Sequence, residues 1–400
     1  MMVRSVDSVT RTSRVGYGRR LRSALGGVVF GGLLLLGGCG TLFWNEGRSV
    51  KRYRVLKEGA GTVTSIDAAS FSRSADGRLV HVVGEARTSE TLRDETFGVE
   101  VQALALLRDV QMYQWVERSR TEERKQLGGS VEKVTTYEYE QEWRGDAVRS
   151  SAFQQPAGHQ NPEFPLAASS QRAAVVEIGA YRLGDALAQQ IGRAMMVPMG
   201  AEEAERARAA LERPVAVDGG DLYAGEDPQR PRVGDLRIGF RMVPPTEVSV
   251  IGRQVDRTID RHGTDSGSIA LVEYGSVPAD QMFQAAQRRN RGLAWLLRLA
   301  GFAALFVAFS LILAPLAVAA DVVPMVGRFV GAGVGFAAFA LAAGLSLVVI
   351  AVGWFAYRPL LSGVLLSLAL AAVVLVLRRS KKKQRLRASE PVELPPLPTP

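Results

Sequence analysis

The apolar run LAGFAALFVAFSLILAPLAVAA at Leu299–Ala320 decides the architecture of this chain. Two further apolar runs follow it, Phe329–Ala356 and Leu360–Leu377, and all three are almost free of charge. Each is long enough to cross a bilayer as a helix, which takes about 20 residues. Because a backbone in lipid must satisfy its own hydrogen bonds, these runs predict three membrane-spanning helices.

A fourth apolar run, Ala24–Trp44, lies near the N-terminus behind a cluster of arginines. This order also fits a signal peptide, and Leu36–Cys39 resembles a bacterial lipobox, in which the cysteine is lipidated. The run continues past Cys39 to Trp44, which gives it the length of a retained helix with an interfacial aromatic anchor. We therefore expect a first span at 24–44, with lipidation of Cys39 as the alternative.

The chain between the first and second apolar runs is polar and reads as a globular domain. Alternation of period two in β-branched and aromatic residues predicts strands, for example at Val134–Trp143 and Leu236–Met242. Amphipathic patterns predict helices at Arg182–Met195 and Ala201–Leu211, and Pro278–Arg289 reads as a helix that leads into the second span. A proline-bearing connection leaves open whether this domain is one unit or two, with a break near residues 150–170.

The expected fold class is therefore a four-span α-helical membrane protein with a large extracytoplasmic β-rich (α+β) domain between spans 1 and 2. The expected segments are a basic cytoplasmic arm at 1–23, spans at 24–44, 299–320, 329–356 and 360–377, the domain at 45–290, and a basic, then proline-rich, cytoplasmic tail at 378–400.

Charge sets the expected orientation. The net charge is +9, and basic clusters stand before the first span and after the last. The positive-inside rule places both termini in the cytoplasm, where these clusters meet anionic lipid headgroups, and it argues against a nucleic-acid partner. Four arginines at the entrance of the second span argue against this orientation: Arg288, Arg289, Arg291 and Arg298. Long loops translocate largely regardless of charge, so the expectation stands.

Residues that carry chemistry are scarce. The chain has one cysteine and three histidines, without metal-ligand spacing, and it lacks nucleotide-binding and nucleophile fingerprints. We expect no catalytic residue, no metal and no cofactor. The alternative is a lipid-binding or lipid-modifying protein that uses the acidic strand face of Glu138, Glu140 and Glu142 together with His81 or His159.

Glycine pairs spaced by four residues occur in two of the predicted spans, Gly27 with Gly31 and Gly331 with Gly335. Each pair lies on one helix face and lets another backbone approach closely. We expect these faces to pack against other helices, within the chain or between copies of it.

Several strings of the sequence resemble the transmembrane protein 43 family, also called LUMA. They are Asn45-Glu46-Gly47-Arg48, Gly77–His81, Met112-Tyr113-Gln114-Trp115, Glu142-Trp143-Arg144, His159-x-Asn161-Pro162, Gly234-Asp235 and Trp354-x-x-Tyr357-Arg358-Pro359. The resemblance runs from about residue 44 to residue 377, and it leaves out the N-terminal arm and the tail.

The resemblance implies four spans, cytoplasmic termini and a domain in the lumen or periplasm. Eukaryotic relatives lie in the endoplasmic reticulum and inner nuclear membrane, where they self-associate and help organise membrane protein complexes. The family offers no catalytic residues to transfer. Usage rich in arginine and alanine points to a bacterial member. We therefore expect a homo-oligomeric, non-enzymatic scaffold of the bacterial inner membrane, with other membrane proteins as its partners.

Overall fold

The structure is a computed structural model that describes residues 7–264 and 267–358. The predicted fourth span, the tail and Pro359 lie outside the described residues. Within them, three helices are long and apolar enough to cross a membrane, Tyr17–Thr62, Ala279–Ala320 and Phe329–Tyr357. These helices and a large β-rich domain confirm the expected class of membrane protein.

The helices are α1 (Tyr17–Thr62), α2 (Asp185–Ala188), α3 (Ala201–Leu211), α4 (Ala279–Ala320) and α5 (Pro324–Tyr357), with short 3-10 turns at Arg73–Ala75 and Ser150–Ala152. The strands are β1 (Asp7–Val15), β2 (Thr64–Ser65), β3 (Leu79–Arg87), β4 (Leu92–Asp94), β5 (Val99–Val101), β6 (Ala105–Lys125), β7 (Val131–Arg144), β8 (Ser169–Arg172), β9 (Glu177–Ile178), β10 (Tyr181–Leu183), β11 (Met195–Val197), β12 (Val215–Asp218), β13 (Asp221–Ala224), β14 (Leu236–Val243), β15 (Thr246–Val255), β16 (Thr258–Asp260), β17 (His262–Thr264), β18 (Gly267–Ile269) and β19 (Leu271–Tyr274).

Two large sheets and two two-stranded ones, β17-β18 and β4-β5, form the domain. The first has the order β1-β7-β6-β14-β13-β12, with β11 also paired to β14 and β8 to β6. The second has the order β19-β15-β16-β10-β9-β3-β2, with a further β15–β3 pairing. The alternation read from the sequence produces them: in β14, Leu236, Ile238 and Phe240 are fully buried, and the residues between them face outward.

Three clusters of buried apolar residues hold this domain together. One joins Val80, Val82, Val248 and Val250 of the second sheet with Tyr181, and another joins the buried face of β14 with α3. The third brings Val55 and Leu56 of α1 against Phe283 of α4 and Leu79 of β3. Of the described residues, 7–25, 51–264, 267–292 and 315–332 belong to one compact unit of the chain.

A second compact unit contains, of the described residues, 26–50, 293–314 and 333–358. Leu42, Leu305 and Ala342 form its buried centre. A Cβ added at Gly31 would lie 2.9 Å from the Ala308 carbonyl oxygen, so only glycine permits this approach of α1 to α4. Gly331 and Gly335 have no described atom within 4 Å of such a Cβ.

The first helix is longer than the predicted span. It begins at Tyr17 rather than at residue 24, and it continues past Trp44 to Thr62 because polar residues with good helix propensity follow the apolar run. Cys39 lies inside this helix. The helix predicted to lead into the second span is also present, because α4 is continuous from Ala279.

The N-terminal arm differs most from expectation. Residues 7–15, predicted as part of a separate cytoplasmic arm, form β1 and pair along their whole length with β7, from Asp7 opposite Tyr139 to Val15 opposite Val131. Alternating threonine, serine and valine suit an edge strand, but the partner lies more than a hundred residues away. We call β1, β7 and the distal part of β6 (residues 113–125) the ribbon.

Candidate membrane-helix ion-pair site

Glu46 of α1 forms the most completely buried charge pair of the second unit. Its side chain is 1% exposed and accepts hydrogen bonds from Arg298 Nε at 2.7 Å and Arg298 Nη2 at 2.9 Å. Trp354 Nε1 donates a third, at 2.9 Å to Oε2. One side chain from each of α1, α4 and α5 therefore meets in a two-pronged, charge-assisted arrangement.

Neighbouring residues make room for this pair. A Cβ at Gly353 would lie 3.0 Å from Glu46 Cβ, and a Cβ at Gly47 would lie 2.6 Å from the Tyr357 ring. Asn45 Nδ2 donates to the Ala294 carbonyl at 3.0 Å, which holds α1 against α4 one turn away. The strings 45–48 and 353–357, which sequence reasoning treated separately, thus belong to one site.

The chemistry open to Glu46 is limited. Both oxygens accept from donors within the protein, and an arginine in a fork stays charged, so three of the roughly four acceptor positions of this carboxylate are used by Arg298 and Trp354. A buried ionised pair is expensive unless every group is satisfied, and it favours one arrangement of the helices over others. The geometry therefore indicates a structural role, in which this site fixes the packing of α1, α4 and α5.

Asn161 brings two further strings together in the domain. Its Oδ1 accepts from the Trp115 N–H at 2.7 Å, and its Nδ2 donates to the Trp115 carbonyl at 2.9 Å and the Val148 carbonyl at 3.2 Å. The side chain therefore acts as a strand partner for β6 where its neighbour β14 has ended. Nearby, Gln114 is fully buried and bonds the backbone of Asp146 and Val148.

An aromatic cluster covers the outer face of the first sheet. Trp143 lies 5.2 Å from Tyr113 and 6.1 Å from Tyr223 between ring centroids. Tyr223 donates to Asp235 Oδ2 at 2.5 Å, and its burial, followed by this hydrogen bond, raises the pKa of the phenol well above its ordinary value. Gly234, at φ 100°, makes the turn that presents Asp235. These residues serve the packing of the domain.

The acidic strand face does not meet a histidine. Glu140 and Glu142 pair with Arg118 on the neighbouring strand, whereas His159 stacks at 3.9 Å on Tyr139, whose side chain alternates to the other face of β7. His81 bonds Ser65 Oγ at 3.1 Å and the Val277 carbonyl at 3.0 Å in the second sheet. Burial lowers the pKa of its imidazole. The constellation on which the enzyme alternative depended is not assembled.

No metal centre is formed either, within residues 7–264 and 267–358: no group of three or more His, Cys, Asp or Glu side chains could hold an ion there.

Asp321, just past the end of α4, carries a second buried ion pair. Its side chain is 3% exposed and accepts from Arg20 Nη2 at 2.6 Å and Lys125 Nζ at 2.7 Å. Arg20 also donates to the Gly129 carbonyl at 2.6 Å. The start of α1, the tip of the ribbon and the α4–α5 turn therefore converge on one carboxylate. No local pattern in the sequence predicts these contacts, because Arg20 and Lys125 are distant from Asp321 in the chain.

Burial and pairing act in opposite directions on Asp321. Burial alone would raise the pKa of its carboxyl, but the hydrogen bonds and charges of Lys125 and Arg20 outweigh burial and hold that pKa below its ordinary value. Asp321 is therefore ionised at neutral pH and keeps both cations in place.

The fold and these sites define a multi-span membrane protein whose helices and β-rich domain are held by buried ion pairs. A sequence profile of the Transmembrane protein 43 family matches residues 112–359. Transmembrane protein 43 of Rattus norvegicus is 33% identical over 389 residues, which cover 94% of this chain and 96% of the rat protein. The Mus musculus and Homo sapiens proteins are 33% and 32% identical over 392 residues, with the same coverage. The chain belongs to the Transmembrane protein 43 family. No solved structure matches it.

Proposed function

We propose that this protein is a non-enzymatic, self-associating scaffold that organises other membrane proteins through its β-rich domain. The hydrogen bonds from Arg298 and Trp354 to both oxygens of Glu46 support the first part, because they give that buried carboxylate a structural role. The open glycine face of α5 supports the second. Gly331 and Gly335 provide a flat surface for a helix of another copy, and nothing described in this chain covers it.

We further propose four spans, with the last at 360–377, cytoplasmic termini in contact with anionic lipid, and a bacterial inner membrane as the location. The basic clusters at both ends of the chain support this orientation. The core of the domain, which follows the first span, is then periplasmic.

The test is analytical ultracentrifugation of the full chain in detergent. Replacing Gly331 and Gly335 with leucine should shift the mass toward the monomer, because the two bulky side chains hold the helices apart. Gly333→Leu is the matched control: it lies on the opposite face of the same helix and also has open space around it. An unchanged mass in the double variant would remove this face as the interface.

A further inference from the structure

A second feature of the domain has no part in the scaffold proposal. On the outer face of the first sheet, Arg237, Gly239 and Arg241 alternate along β14. Asp109 of β6 pairs directly with Gly239, and Asp221 of β13 stands beside Gly239 on the other flank. Four charged side chains thus surround one glycine, with the two arginines along the strand and the two aspartates across it.

The glycine forms the floor of a cavity of about 320 Å³. Gln111 and Met196 complete its wall. A Cβ at residue 239 would lie 2.8 Å from Asp221 Oδ1, so any side chain there would occupy the floor of the cavity and push the carboxylate aside. The bare backbone keeps this space open.

Two of the four charges are satisfied by each other. Arg241 Nη2 lies 2.6 Å from Asp109 Oδ2, and both side chains are about half exposed at the rim. The other two are not matched in this way. The Arg237 guanidinium stacks at 4.3 Å over the Trp143 ring, which fixes its plane without using its N–H donors.

Asp221 has a carboxylate that no described donor reaches. Within the described part of the chain, it makes neither a hydrogen bond nor an ion pair through its side chain. Burial, only partly offset by the charges of Arg237 and Arg241, raises the pKa of this carboxyl. A cationic hydrogen-bond donor that entered the cavity would lower the free-energy cost of burying the ionised Asp221 carboxylate.

We propose that this cavity binds a small zwitterion, with a primary ammonium group on Asp221 and an anionic carboxylate or phosphate group on the fork of Arg237. A simple anion would meet the Asp221 charge, and a simple cation would meet that of Arg237. A molecule with both groups satisfies both side chains. The source is either a free amino-acid-like metabolite or the headgroup of an ethanolamine phospholipid, which share this chemistry.

Isothermal titration of the full chain in phosphatidylcholine nanodiscs with O-phosphoethanolamine tests the proposal. Saturable binding is expected, weakened about tenfold or more by Asp221→Asn and by Arg237→Gln, because each removes one charge-assisted contact. Glu100→Gln is the control, because Glu100 is a half-exposed carboxylate outside the cavity. This variant should bind O-phosphoethanolamine as the unaltered protein does. Phosphocholine should bind more weakly, since its quaternary nitrogen has no N–H to donate.

The absence of saturable binding, or equal binding by Asp221→Asn, would overturn the proposal. A second variant guards against misfolding: Gly239→Ala keeps every charge but fills the floor, and it should also lose binding. The same titration in nanodiscs containing phosphatidylethanolamine separates the sources. Weaker apparent binding of the probe there means that the lipid headgroup competes for the site, and unchanged binding means a soluble ligand; both results support the site.

Discussion

Trp354 Nε1 donates a 2.9 Å hydrogen bond to Glu46 Oε2 across 308 residues of sequence. The same oxygen accepts from Arg298 Nη2, so the three helices α1, α4 and α5 share one acceptor. This contact links the two family strings at opposite ends of the chain. It explains why a glutamate can stand in an otherwise apolar environment: its charge is paired with that of Arg298, and both of its oxygens accept hydrogen bonds.

Removing the Glu46 charge should destabilise the helices strongly. Glu46→Gln leaves the Arg298 guanidinium, only 16% exposed, without a counter-charge, and we expect a loss of about 3 kcal/mol or more. Thermal unfolding in detergent measures it. Glu46→Leu combined with Arg298→Met should recover most of the loss, because no unpaired charge is then buried. Equal melting temperatures for Glu46→Gln and the parent would contradict a stabilising role of the Glu46–Arg298 pair.

Asp321 should make the ribbon tip sensitive to acid. Its folded-state pKa lies below its ordinary value of about 4. The stabilisation that the ion pairs of Asp321 with Arg20 and Lys125 provide is therefore fully present above that ordinary value. It is lost as the pH falls through the lower, folded-state pKa. Hydrogen exchange at residues 126–130 should accelerate below about pH 4 beyond the intrinsic pH effect. Asp321→Asn should show faster exchange already at pH 7. Exchange that is the same in both proteins would show that Asp321 does not hold the tip.

Asn161 should contribute more to domain stability than its size indicates. Asn161→Ala removes hydrogen bonds to both backbone groups of Trp115 and leaves them poorly satisfied in a half-buried position, at a cost of about 2 kcal/mol. Chemical denaturation followed by tryptophan fluorescence gives the change. Gln160→Ala, at the exposed neighbouring position, serves as the control and should have almost no effect. A similar midpoint for both variants would refute the strand-partner role.

Sided cysteine labelling tests the proposed orientation of the domain. In a Cys39→Ala background, Glu226→Cys places a single thiol at a well exposed position of the domain. We expect an impermeant maleimide to reach residue 226 from the periplasmic side, because the positive-inside rule places the basic termini in the cytoplasm. Labelling from the cytoplasmic side alone would contradict the proposed topology.

Local patterns predicted the local elements well. The apolar runs gave three candidate membrane helices, and the amphipathic pattern of Ala201–Leu211 matched α3 residue for residue. Arg182–Met195 was wrong as a helix: only Asp185–Ala188 is helical, because tertiary pairing of β10 and β11 overrides a weak periodicity.

Long-range features could not be predicted in the same way. Strand β1 pairs with β7, which lies more than a hundred residues away in the sequence, and no local pattern in the basic arm predicts that pairing. Asp321 likewise depends on Arg20 and Lys125, which approach only after folding. For the Glu46 site, the family strings contain the residues of α1 and α5. Arg298 stands outside these strings, and from the sequence it bears only on membrane orientation. Its role follows from the fold alone.

Native mass spectrometry of the unaltered full chain in nanodiscs tests the central claim, self-association, most directly. The scaffold account predicts one defined oligomer larger than a monomer, retained when the protein is diluted, since the α5 glycine face is proposed to pack against a neighbouring copy. A monomer at all concentrations would contradict it.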